Sequence, residues 1–123
     1  MNTTAVSPAA INAFLAELCG FSVNAFGYID FGNGREGAPY TESLDALFVE
    51  GGPVDRCCIH AWLVGINWNA YLKKWEGTLL HMDDDDGVDA TCRSDNPALA
   101  LAAVIHFGLT TPPDHRFGHT FDI

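Results

Sequence analysis

The decapeptide HMDDDDGVDA, residues 81–90, sets Asp83, Asp84, Asp85 and Asp86 in a row before Gly87 and adds Asp89 two residues on. Clustered carboxylates of this kind bind hard cations such as Ca²⁺ when their spacing is right. An EF-hand loop needs oxygen ligands at positions one, three and five, glycine at six and glutamate at twelve. With Gly87 at six, Asp84 and Asp86 fall correctly, but Met82 takes position one and Arg93 takes position twelve. One ligand is lost and another is replaced by a cation, so the EF-hand reading fails. A looser cation site on Asp83, Asp85 and Asp89 remains open. So do a solvated hairpin connection, since adjacent like charges favour water and Asp and Gly favour turns, and an exposed acidic loop that docks on a Lys/Arg-rich surface.

Other chemistry-bearing residues lack the spacing their chemistry requires. Cys57, Cys58, His60 and Cys92, with His115 and His119, are zinc-ligand types, and HRFGH supplies H-x₃-H. Cys57 and Cys58 are adjacent, however, and on a strand they would point to opposite faces. No nucleophile elbow accompanies the serines or thiols, so no catalytic residue is assigned. Gly32, Gly34 and Gly37 match G-x-G-x-x-G literally, but no βαβ context follows. Trp62, Trp68, Tyr71 and Trp75, interleaved with Lys73 and Lys74, could stack on bases. Two lysines in so acidic a chain make a poor electrostatic funnel. On strand alternation Ile66, Trp68, Ala70 and Leu72 share a core face, with Tyr71, Lys73 and Trp75 opposite. No metal and no cofactor are expected.

Sixteen acidic residues against six basic ones give a net charge of −10 and a pI near 4.5. Such a field repels nucleic acid and anionic membrane and speeds encounter with basic surfaces. Glu42, Asp45 and Glu50 form a second acidic group, on a short helix. With 48% hydrophobic residues the 123-residue chain is rich enough in apolar groups to fold as one domain. No apolar run reaches the ~20 residues of a membrane span. The N-terminus lacks the basic and long apolar regions of a signal peptide. The cysteines read as reduced, in a cytosolic compartment.

The elements that must position these residues begin with a helix capped by Ser7, opened by Pro8 and ended by Gly20, with Ile11, Phe14, Leu15 and Leu18 as its apolar stripe. FSVNAFGYIDF reads as a strand and residues 32–39 as a loop. A short helix capped by Thr41 follows, with Leu44, Leu47 and Phe48 on one face, stopped by Gly51, Gly52 and Pro53. From Cys57 to Cys92 the period is two, giving two or three strands with breaks near Gly65 and at Glu76-Gly77. Then come the strand VDATC and a final helix capped by Asn96, with Pro97 first and Gly108 after its end. Residues 110–123 read as an irregular tail. The expectation is a single small α+β domain over 1–109, mostly an antiparallel sheet with helices packed on its faces.

INAFLAELCGFSV, APYTESLDALFVE, NAYLKKW and DNPALALAAVIHFGL, in that order, resemble the phage ABA-sandwich domain family. The resemblance covers roughly residues 11–109, and its most specific pieces are YTESLDAL and DNPALALAA. It implies a sheet with helices on its faces, in small phage or prophage proteins, and no activity. Charge and resemblance together suggest a non-enzymatic phage-encoded binding protein in the host cytosol. Its partner would be a basic host or phage protein, such as a nuclease or CRISPR effector complex, met through Asp83–Asp86, Asp89, Glu42, Asp45 and Glu50. The alternative is an accessory or structural module, monomeric or oligomeric, whose acidity serves solubility. A metal-dependent or thiol enzyme has the residue types but not the spacing.

Overall fold

Helix α1 (Pro8–Leu18) begins where its sequence asks. The Ser7 Oγ accepts from the Ala10 N–H at 3.2 Å, satisfying an otherwise orphaned donor. At the other end Gly20, at φ +85°, lets Phe21 N–H reach Ala16 O and Gly20 N–H reach Glu17 O. This is a Schellman closure, and it needs the left-handed region that glycine enters without strain. The computed structural model describes residues 6–59, 62–81, 90–111 and 119–123.

The segment expected as one strand is a hairpin, β1 (Ser22–Val23) and β2 (Ile29–Gly32). Asn24 folds it back: its Oδ1 accepts from Phe26 N–H and Tyr28 N–H, and Gly27 sits at positive φ. The expected loop after it contains β3 (Arg35–Gly37), paired antiparallel with β2. Asn33 and Gly34, at φ 56° and 75°, form the two-residue turn between them. Positive φ at both central positions matches the twist of a tight hairpin.

Helix α2 (Leu44–Phe48) is capped by Ser43, not Thr41. Thr41 is buried and serves another purpose. Its Oγ1 accepts from Asn12 Nδ2 at 2.9 Å, its N–H donates to Asn12 Oδ1 at 3.0 Å, and its carbonyl accepts from Asn96 Nδ2 at 3.0 Å. Leu47 enters the core, whereas Phe48 stays half exposed. Pro53 opens a further helix, α3 (Pro53–Ile59), so Cys57 and Cys58 lie on a helix rather than a strand. The Asp55 carboxylate reaches back to the Gly51 N–H at 2.8 Å, which favours this start.

The main sheet has the order β4 (Trp62–Asn69), β5 (Lys74–His81), β6 (Ala90–Ser94) and β7 (His119–Asp122). β4 and β5 pair antiparallel without interruption, so neither Gly65 nor Glu76-Gly77 is a break. The chain reverses at residues 70–73, where Asn69 Oδ1 accepts from Leu72 N–H and Lys73 takes φ 56°. Gly77 is glycine for a different reason: a Cβ there would lie 2.5 Å from Ala100 O. β7 runs parallel to β6, giving order to part of the segment expected to be an irregular tail.

Between β6 and β7 runs α4 (Pro97–Thr110), capped by Asn96 Oδ1 on Ala98 N–H. Gly108 lies inside this helix, against Leu79, and does not end it. Residues Ala100–Ile105 are all buried, as expected of a helix covered on several sides. α4 lies on β5 and β6 and packs against α1. The result is a single α+β domain, an antiparallel three-stranded sheet and a mixed four-stranded sheet with helices packed against them. Among the described residues no helix is long and apolar enough to cross a membrane.

Candidate functional site

Glu42, Asp45 and Glu50 are all exposed and lie within one short segment around α2. Asp45 is in the first turn of that helix, where backbone N–H groups favour an anion. Asp55, the next acid along the chain, is exposed too. Two ion pairs occur among the described residues, Lys74 Nζ–Asp95 Oδ1 at 2.8 Å and Arg93 Nε–Glu76 Oε2 at 2.9 Å. Neither involves Glu42, Asp45 or Glu50. Asp83, Asp84, Asp85, Asp86 and Asp89 lie outside the described residues; of the second group, Asp45 lies in α2 and Glu42 and Glu50 flank it.

A polar network that periodicity does not reveal lies on the face of the main sheet opposite α4. The strand registers set Asn67, Glu76, Arg93 and Asp122 side by side across four strands. Glu76 accepts from Asn69 Nδ2 at 3.0 Å, Arg93 Nε at 2.9 Å and Asn67 Nδ2 at 3.4 Å. These donors, Asn69 first and then Arg93, hold its carboxyl below the usual glutamate range. The carboxylate is thus fixed and ionised, a structural tie among three strands. A proton-transfer group would need a raised pKa near its working pH. Pairing signals of this kind need the register, and periodicity alone does not supply one.

Cys19 and Cys92 are not poised for nucleophilic work. Burial pushes Cys92 up to about 12, and burial likewise raises Cys19 despite nearby Tyr40 and Arg56. A neutral thiol is a weak nucleophile and a poor metal ligand. Cys57 is fully buried on α3. His119 stacks on Phe107 with ring centroids 4.9 Å apart. No group of three metal-ligand side chains occurs among the described residues. His60 and His115 lie outside them, as does the side chain of Cys58. Gly32, Gly34 and Gly37 belong to the β2–β3 hairpin and lead into no helix.

The aromatic residues are arranged differently from the alternation read in sequence. Trp68 and Trp75 are cross-strand partners, centroids 5.3 Å apart, and so share a face. The turn at 70–73 resets the alternation between them. Trp68 is 48% exposed and Tyr71 93%, so this end of the sheet is not core. Elsewhere a cavity of about 330 Å³ opens between α1, α4 and the end of the chain, with Ile11, His106, Phe107 and Phe121 in its walls. Burial lowers the pKa of His106, whose ring meets Phe14 edge-on.

No family model, curated protein or solved structure matches this chain. The likeness to the phage ABA-sandwich family therefore rests on the quoted segments alone. What the geometry defines is a small α+β domain with an acidic surface segment and a polar sheet face.

Proposed function

We propose that the protein is a non-enzymatic, phage- or prophage-encoded binding protein that works in the host cytosol. It docks its acidic surface on a basic, nucleic-acid-binding surface of a host defence protein, such as a nuclease or CRISPR effector complex. The observation that carries this reading is the exposed set Glu42, Asp45 and Glu50, in no ion pair among the described residues, in a chain of net charge −10. Fixed surface charge of one sign steers encounter with the opposite sign and excludes nucleic acid itself as a ligand. The aspartates at 83–86 and 89 would extend the same field.

The test is a pull-down from host lysate at two salt concentrations. It compares the native chain with variants in which Asp83–Asp86 become Ser, or Glu42, Asp45 and Glu50 become their amides. A basic protein held by the native chain, released by salt and lost from the variants, supports docking. Charges at an exposed interface are screened beyond ~8 Å at physiological salt, so the salt dependence must be steep. A partner indifferent to both changes, or none, leaves the accessory-module reading, in which acidity serves solubility.

A further inference from the structure

Among the described residues β4 is an outer strand of the main sheet, and its sequence, WLVGINWN, carries none of the guards that natural edges use. It is eight residues long, contains no charge and no proline, and pairs with β5 without a bulge. Exposed edges are ordinarily blunted by lysine, proline, bulges or brevity, because their free N–H and C=O groups recruit another strand. The other edges obey that rule. β7 has four residues with an aspartate, and β1 and β3 have two and three. β4 also has no buried residue from Leu63 to Asn69, and Leu63 and Trp68 are each about half exposed.

We propose that β4 is a self-association edge, at which two copies of the chain pair antiparallel through a two-fold axis into one continuous sheet. Three features favour a second copy over another strand. An antiparallel pair about a two-fold normal to the sheet keeps each residue on its own face, so opposed positions must differ by an even number. Centring the axis on Ile66 satisfies this and matches the row toward α4 with itself. Ile66 then faces Ile66 of the second copy, and Val64 faces Trp68, apolar on apolar. The outer row meets as Leu63 with Asn69 and Gly65 with Asn67, without opposing charges. Finally, a chain of net charge −10 repels its twin almost everywhere, and β4 is an uncharged stretch where two copies can meet.

This association answers to salt in the opposite sense from docking on a basic partner. Screening weakens the repulsion between two acidic copies, so the dimer gains with salt. Light scattering after size exclusion of the native chain should give twice the 13.3 kDa of one chain. The dimer fraction should rise with protein concentration and with salt. Ile66→Lys, which sets two ammonium groups face to face, and Trp68→Lys, at a half-exposed position that leaves the core untouched, should both return the monomer mass with the circular dichroism unchanged. Ile66→Cys, oxidised, should yield a covalent dimer on a non-reducing gel. A monomer mass at every concentration and salt overturns the proposal. So does a dimer that survives in the folded Trp68→Lys chain, or one in which Ile66→Cys does not cross-link.

Discussion

Gly77 sits where α4 comes closest to the sheet, and Gly77→Ala measures how close that approach is. The new Cβ would stand 2.5 Å from Ala100 O, 2.8 Å from Ala100 C and 2.9 Å from Leu101 Cα. All three are helix backbone, so no side chain can rotate away, and α4 must lift by about 1 Å to restore ordinary contact. Forced overpacking costs about 1–3 kcal/mol. A gap of that size also forfeits roughly a quarter to a half of each dispersion well along the helix. Alanine returns about 0.5–1 kcal/mol by restricting the unfolded chain. The net loss is on the order of 1–2 kcal/mol. With an unfolding entropy of about 2.1 cal/mol/K per residue over the 123 residues, that is a fall in Tm of roughly 4–8 °C. Thermal and urea unfolding followed by circular dichroism would read it. Gly108→Ala is the control: its Cβ meets the Leu79 side chain, and it regains about 1 kcal/mol of helix propensity, so it should cost less. If Gly77→Ala stays within about 0.5 kcal/mol of the parent, or costs less than Gly108→Ala, the close-approach argument is wrong.

Asn12→Leu leaves the buried Thr41 N–H without its acceptor and should cost about 1–3 kcal/mol in urea unfolding, whereas Glu17→Ala, at an exposed position of the same helix, should be near neutral. Glu76 has a folded pKa below its ordinary 4.5, so its stabilisation is present above that pH and is lost as pH falls through the depressed value. Glu76→Gln should therefore flatten the acid limb of the stability–pH curve, as seen by denaturation at a series of pH values. Cys92, held neutral and buried, should resist alkylation at pH 8 in the native chain and react once urea unfolds it, as mass spectrometry of the modified peptide would show. Glu42→Gln, Asp45→Asn and Glu50→Gln together should leave Tm nearly unchanged, because all three are exposed and none is ion-paired among the described residues.

Features written in adjacent residues were legible in the sequence, and features set by distant contacts were not. Ser7-Pro8 and Asn96-Pro97 locate two helix starts because capping is decided within one turn. Thr41 resembles a cap equally well, but its hydroxyl and N–H are claimed by Asn12, 29 residues away, and Ser43 takes the cap. Gly77 and Gly108 read as breakers, yet each is small so that α4 and the sheet can meet. Cys57 reads as strand by alternation, while the Asp55 contact to Gly51 and the proline at 53 start a helix there. For the site, Glu42, Asp45 and Glu50 are legible as charge, and all three are exposed. The Asn67–Glu76–Arg93 network depends on strand register and was invisible. β7 was missed because four residues of HTFD carry too little pattern without β6 beside them.

The parallel pairing of β6 and β7 sets an order of events. Parallel neighbours need a crossover, and here α4 is that crossover. β7 therefore gains its partner only after α4 has docked on β5 and β6, and a four-residue strand repays little of the closure entropy. Its amides should exchange through a local opening well below the global unfolding free energy, while those of β5 exchange only with the whole domain. That opening lifts Phe121 away from Cys92, its neighbour in the ladder. The chain then has an outer lamina that breathes and an inner one that does not, and the core thiol, still covered by α4, belongs to the second.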